Sequence, residues 1–198
     1  MRLTLYQDQD FCSACPLYRS KRVRKQYIPT DVVYDRVGPD EKTPEVDVMV
    51  IGDMPSRTED VLGMPFAGSS GKEIFSALKR AGSDGSYALA NLVRCRPVAD
   101  DGSNRPPTTE EISACSNYIK QDIEALNPKV VVMMGNTTLR VLNENPEWEK
   151  VNVGSLRGHA YITKSGRTHL VTLPPSTYLR SESATQRRRF YRHMRSAG

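Results

Sequence analysis

The sequence predicts a three-layer α/β/α sandwich around a central, mostly parallel four-stranded sheet. Three observations carry that prediction. Short apolar runs rich in β-branched residues recur along the chain, helical patterns fall between them, and polar segments rich in Gly, Pro or Asp punctuate the junctions. Strands of a parallel sheet are covered on both faces, so they read as continuously apolar rather than alternating. Strand–helix–strand alternation with right-handed crossovers then places helices on both sides.

In chain order the strands are VDVMVI (46–51), YALANLV (87–93), KVVVMMG (129–135) and THLVTL (168–173), with HAYITK (159–164) as an edge strand. The segment GKEIFSALKRA (71–81) puts Ile74, Leu78 and Ala81 on one side of a helix. A second helix, over 108–126, opens on a Thr108-x-x-Glu111 capping box behind Pro106 and Pro107. Its apolar face runs Ile112, Cys115, Ile119, Ile123 and Leu126. NTTLRVLN (136–143) and the basic C-terminal segment complete the helices. RVGPDEKTPE (36–45) and PVADDGSNRPP (97–107) read as loops, and the long stretch 28–45 carries no further assignment. With 198 residues and no internal repeat, residues 1–198 form one domain.

No apolar run approaches the roughly 20 residues that span a bilayer, and MRLTLYQDQDFCSAC lacks the apolar core of a secretory signal. The expectation is a cytoplasmic protein, monomeric, with no membrane association. The net charge of +5 is concentrated in RSKRVRK (19–25) and RRRFYRHMR (187–195). One such run suits a solvated face; two at opposite ends shift the reading toward a nucleic-acid backbone, where neutralising phosphates releases counterions. On a helix, Arg188, Arg192 and Arg195 share a face, with Phe190 and Met194 turned elsewhere.

In open α/β sheets ligands bind beyond the carboxyl ends of the strands. The loops after Ile51, Val93, Gly135 and Leu173 are therefore the expected seat of function. Four cysteines stand at Cys12, Cys15, Cys95 and Cys115. In a cytosolic protein disulfides are a poor reading, and no βαβ unit follows the C-x-x-C pair as a thioredoxin-like motif requires. Four thiolates suit a structural zinc or a [4Fe–4S] cluster, or they are unrelated buried thiols; spacing alone leaves these open.

Four stretches resemble family 4 uracil-DNA glycosylases. GDMPSRTEDVLGMPFAGSSGK (52–72) is similar to the first family motif, NLVRCRPV (91–98) to its Asn-x-Val-Lys-Cys-Arg-Pro-Pro, VVMMGNTTLRVL (131–142) to its strand–Gly–helix segment, and PPSTYLR (174–180) to its His-Pro-Ser-x-x-Leu-Arg. The resemblance covers almost the whole chain and implies a DNA-binding glycosylase of this superfamily. Cys12, Cys15, Cys95 and Cys115 would then hold a [4Fe–4S] cluster. Phe66 would stack on a flipped-out base, Asn91 would bond the base's Watson–Crick edge, and Gly52 and Met54 would flank the base. Asp53 stands where the family carries its motif Glu, with a role in glycosidic-bond cleavage. Gly68 would let the backbone approach the base, and Ser176 and Arg180 would contact the DNA backbone. Arg187, Arg188 and Arg192 join them as phosphate contacts on the basic segment.

Blander readings stand beside these. Phe66 can cap the core, Asn91 can cap a loop, Asp53 suits a helix N-cap, and Glu59 with Asp60 suits a solvated turn. Two departures fall in the motifs. Asp53 is one methylene shorter than Glu, and Pro174 replaces the third-motif His. In the family that imidazole stabilises charge developing on the leaving base, whereas proline offers neither a side-chain donor nor a backbone N–H. Arg94, in place of Lys, keeps the charge. Outside the motifs, His159, His169 and His193 read as core or surface residues, with His169 the first to test as a substitute donor. A relative that keeps fold, cluster and pocket but has lost turnover is the alternative.

Overall fold

In the computed structural model, residues 2–3, 10–19, 32–34, 46–82 and 87–197 are described. Strand β1 (Arg2–Leu3), a 3-10 turn (Asp10–Ala14), helix α1 (Pro16–Arg19) and strand β2 (Val32–Tyr34) come first. Then follow β3 (Val48–Gly52), α2 (Arg57–Leu62), α3 (Ser69–Arg80), β4 (Tyr87–Asn91), α4 (Thr109–Leu126), β5 (Val130–Met134) and α5 (Asn136–Leu142). The chain closes with α6 (Val153–Leu156), β6 (Ala160–Ile162), β7 (Thr168–Thr172), α7 (Ser176–Ser181) and α8 (Ala184–Met194).

The sheet has seven strands in the order β1-β2-β4-β3-β5-β7-β6. Its central four, β4-β3-β5-β7, are parallel and are the four expected. The expected edge strand β6 adds antiparallel to β7. The other edge corrects the sequence reading: β2 pairs antiparallel with β4, and β1 with β2, inside segments to which no strand was assigned. Two- and three-residue strands carry too short a period to be legible. The basic run 19–25 and the loop 36–45 lie outside the described residues, apart from the backbone of Arg19.

Alternate residues of the central strands face opposite layers. Met49, Ile51, Ala90, Val131 and Met133 pack with Ile119 and Ile123 of α4 and Leu139 of α5. Val48, Val50, Leu89, Val132, Met134 and Leu170 pack with Ile74 and Leu78 of α3 and Phe190 and Met194 of α8. Both layers are continuously apolar at the strands, which is why the strands read as unbroken apolar runs. The Thr108–Glu111 capping box forms as expected, with Glu111 N donating to Thr108 Oγ1 at 3.3 Å and Thr108 N to Glu111 Oε2 at 2.8 Å. A cap of this kind is worth about 1 kcal/mol. Among the described residues no helix is long and apolar enough to cross a membrane.

Candidate functional site

The parallel strands end at one rim. Gly52 closes β3 beside Asn91, which closes β4, and the pairing runs on as Leu92 N donates to Gly52 O at 2.8 Å and Val93 N to Asp53 O at 3.1 Å. Phe66 reaches the same place from the loop before α3. A Cβ added to Gly52 would stand 2.7 Å from Asn91 Oδ1 and 2.9 Å from Phe66 Cζ. Gly52, Phe66 and Asn91 therefore touch, and glycine at 52 is what lets them.

A residue that the sequence reading left in a solvated turn organises this group. Glu59 is 7% exposed. Its Oε1 accepts from Phe66 N at 2.6 Å and from Asn91 Nδ2 at 3.1 Å, and its Oε2 accepts from Ser56 N at 2.7 Å. Charge-assisted bonds of this kind are about twice as strong as neutral ones. Ser56 Oγ in turn accepts from Glu59 N, so the two residues form a capping box on α2. Phe66 is held at φ 55, a left-handed conformation costly for a bulky residue. Its carbonyl lies so close to Gly71 that a Cβ there would stand 1.6 Å from it. The signal available in sequence was Ser56-x-x-Glu59 between Pro55 and Gly63, a capping-box pattern.

Asp53 sits one residue beyond Gly52, at the mouth of α5. Its Oδ1 accepts from Thr138 N at 2.8 Å and Thr138 Oγ1 at 2.7 Å, which joins the end of β3 to the helix N-terminus. Gly135, at φ 111, leaves room for it: a Cβ would stand 2.3 Å from Asp53 Oδ2. Burial raises the Asp53 pKa above its ordinary value, opposed by the hydrogen bonds from Thr138 and Thr137. Asp53 is not itself an N-cap, a place held by Ser56 for α2 and Gly135 for α5; it accepts from the first turn of α5 across 85 residues of sequence.

Met54 is half-buried and packs against the cluster of Cys15, Leu17 and Val93. Gly68 is the N-cap of α3, where a Cβ would meet only Thr58 Cβ, at 3.9 Å; the protein itself leaves that position open. Ser176 begins α7 and is half-buried, while Arg180 in its last turn is exposed. Pro174 and Pro175 lead into this helix through their carbonyls, which accept from Thr177 N at 3.0 Å and Leu179 N at 3.0 Å.

The basic helix α8 divides its arginines. Phe190 and Met194 are buried, and Arg188 and Arg192 are exposed on the opposite side, as expected. Arg187 is redirected: its Nε and Nη2 donate to Glu73 at 2.8 and 2.7 Å, and Tyr178 and Tyr191 bond the same carboxylate. It ties α8 to α3 rather than standing free for a phosphate.

His169 is a core residue, as one of its two readings has it. It lies in the β7 interior near the strand's amino end, with Nδ1 3.0 Å from Tyr161 Oη, and burial lowers its pKa to about 4. A core imidazole there cannot replace the motif His. His159 Nδ1 lies 3.1 Å from Leu156 O.

The four cysteines converge from three segments. Cys15 N donates to Cys12 O at 3.0 Å, closing the N-terminal turn. Cys12 Sγ is 3.4 Å from Tyr118 Oη, and Arg94 N donates to Cys115 Sγ at 3.3 Å. Cys115, Tyr118 and Asp122 form one column on α4; Arg94 lies 4.9 Å over the Tyr118 ring and pairs with Asp122. Burial pushes the Cys95 thiol well up, and charge on Cys115, Cys12 and Cys15 pushes it further. Cys115 is pushed up to about 11 by burial, against the Arg94 backbone N–H and guanidinium. All four thiols are free of disulfides.

The family model described as the uracil DNA glycosylase superfamily matches residues 39–195. The type-4 uracil-DNA glycosylase of Thermotoga maritima is 31% identical over 179 residues, covering 89% of this chain and 82% of that protein. The type-4 enzyme of Pyrobaculum aerophilum is 30% identical over 173 residues, covering 85% and 80%, and that of Archaeoglobus fulgidus 30% over 152 residues, covering 76% and 67%. With the parallel sheet, the rim of Gly52, Phe66 and Asn91 and these likenesses together, the chain belongs to the uracil DNA glycosylase superfamily.

Proposed function

We propose that this chain removes uracil, or a related modified pyrimidine, from DNA by cleaving the N-glycosidic bond. The observation that carries the reading is the pocket in which buried Glu59 fixes Asn91 and the Phe66 backbone beside Gly52. Phe66 offers an aromatic face to an extruded base. Asn91 gives one Nδ2 hydrogen to Glu59 and keeps the other, with Oδ1, for the O4 and N3–H of uracil; cytosine presents the reverse pair. Gly52 admits the base edge, and Gly68 leaves space for the DNA backbone. In the reaction the C1′–N1 bond breaks with its electrons going to the base, water adds its hydroxyl at C1′, and the remaining proton goes to the released base. Asp53 orients that water or stabilises the cationic sugar. Ser176, Arg180, Arg188 and Arg192 hold the phosphates, with the chain acting as a cytoplasmic monomer.

Cys12, Cys15, Cys95 and Cys115 are the residues that would hold a [4Fe–4S] cluster. The likeness to type-4 uracil-DNA glycosylases supports a cluster over one zinc. Bound there, the cluster supplies thiolate bonds that tie the N-terminal turn to α4 and the loop after β4.

Pro174 favours a second reading, a DNA-binding relative with little or no turnover. Losing one oxyanion-type donor costs about 10²–10³ in rate. Single-turnover excision from uracil-containing oligonucleotides separates the two. Slow excision by the wild type, abolished in Asp53→Ala and raised in Pro174→His, supports the glycosylase. No excision by either wild type or Pro174→His, with DNA binding intact, supports the inactive relative.

A further inference from the structure

We propose that Arg157, Arg189 and His193 form a seat for one phosphate group beside the third-motif loop, separate from Ser176 and Arg180. The carboxyl end of β7 and helix α8 enclose a cavity of about 60 Å3 lined by Arg157, Thr172, Gln186, Arg189 and His193, among others. That is room for a few waters or one tetrahedral anion. The imidazole is clamped from two sides. Thr172 Oγ1 lies 3.2 Å from His193 Nδ1, and Gly158, at φ 84, approaches so closely that a Cβ would stand 2.7 Å from both Cδ2 and Nε2. Arg157 is steadied by its Nη1 donating to Gly154 O at 2.8 Å.

Positive charge gathers here without a counter-charge. No carboxylate lines the cavity, and among the described residues no Asp or Glu forms an ion pair with Arg157, Arg189 or Arg192. Burial lowers the His193 pKa, and Arg157, Arg192, Arg189 and His159 lower it further. A phosphate reverses that repulsion, and two guanidinium forks can each grip it with two bonds. Gln186 Oε1 is buried and unpartnered in the same wall. The O–H of a terminal phosphate answers it directly, whereas a phosphodiester brings a water. The ligand chemistry is a phosphate, from the DNA backbone or free in solution; the backbone source rests on the DNA-binding reading above.

The test follows the His193 ring by NMR in the intact protein, titrated with inorganic phosphate against chloride at constant ionic strength. The seat predicts a saturable phosphate-specific shift and a raised His193 pKa, both lost in Arg157→Ala/Arg189→Ala. Displacement of phosphate by uracil-free duplex, with a log–log salt slope for DNA lowered by about one in that double variant, assigns the backbone. Phosphate that duplex does not displace assigns a free ligand. No phosphate-specific shift, or an equal shift in the double variant, overturns the seat. Neither measurement uses uracil, so failure of excision leaves the seat standing and failure of the seat leaves excision standing.

Discussion

Asn91 Nδ2 donates to Glu59 Oε1 at 3.1 Å, joining two buried residues 32 positions apart. The bond decides which face of the amide is left for a ligand, because the same carboxylate also accepts from Phe66 N. Glu59→Gln replaces an acceptor-only group with one that also donates, and Glu59→Ala leaves Phe66 N and Asn91 Nδ2 unpaired. Leaving a buried donor unmet costs about 1–3 kcal/mol. Glu59→Ala should lower the unfolding midpoint and reduce excision about 10- to 100-fold, with Glu59→Gln losing preference for uracil over cytosine. Denaturant titration and single-turnover excision on matched uracil and cytosine oligonucleotides check this.

Gly52→Ala tests the contact from the other side. The added Cβ meets Asn91 Oδ1 and Phe66 Cζ at 2.7 and 2.9 Å, and overpacking of this kind costs about 1–3 kcal/mol. The variant should fold, as circular dichroism would show, yet lose more than about tenfold in excision, since it displaces both ligand-facing groups at once.

His169 predicts a pH effect on stability without one on the site. Its folded pKa, lowered to about 4 by burial, lies below the unfolded value near 6.5. Between those values the unfolded chain binds more protons, so stability is full above about pH 6.5 and falls as pH drops toward 4. His169→Leu should flatten that part of the profile in urea midpoints measured from pH 7 to 5, with excision at pH 7 retained.

The cysteines predict colour and iron. The purified protein should be brown, with broad visible absorption that bleaches on oxidation, as thiolate-ligated iron–sulfur does. Cys95→Ser should lose iron by elemental analysis and unfold at lower temperature, because a missing ligand uncouples the loop after β4 from α4. Stoichiometric zinc without iron would replace the cluster by a mononuclear site.

The parts of the fold legible in sequence are those whose cause is local. The four central strands read as unbroken apolar runs because both faces are covered, and Thr108–Glu111 announces α4 within four residues. The site was legible only through its motifs, Gly52 and Phe66 in one stretch and Asn91 in another. Glu59 carried a local capping-box signal, but its hold on Phe66 and Asn91 depends on its burial and on Asn91 arriving from another strand. Arg187 reads as one of a basic run until Glu73, 114 residues away, claims it.

The most direct test of the account is release of free uracil from a single-stranded oligonucleotide under single-turnover conditions, for the wild type and Asn91→Ala side by side. The pocket predicts measurable release by the wild type and a loss of at least about 100-fold in Asn91→Ala, whose fold is retained by circular dichroism. Equal release by the two proteins would contradict the assignment of Asn91, and of the Glu59-held pocket, as the reader of the base.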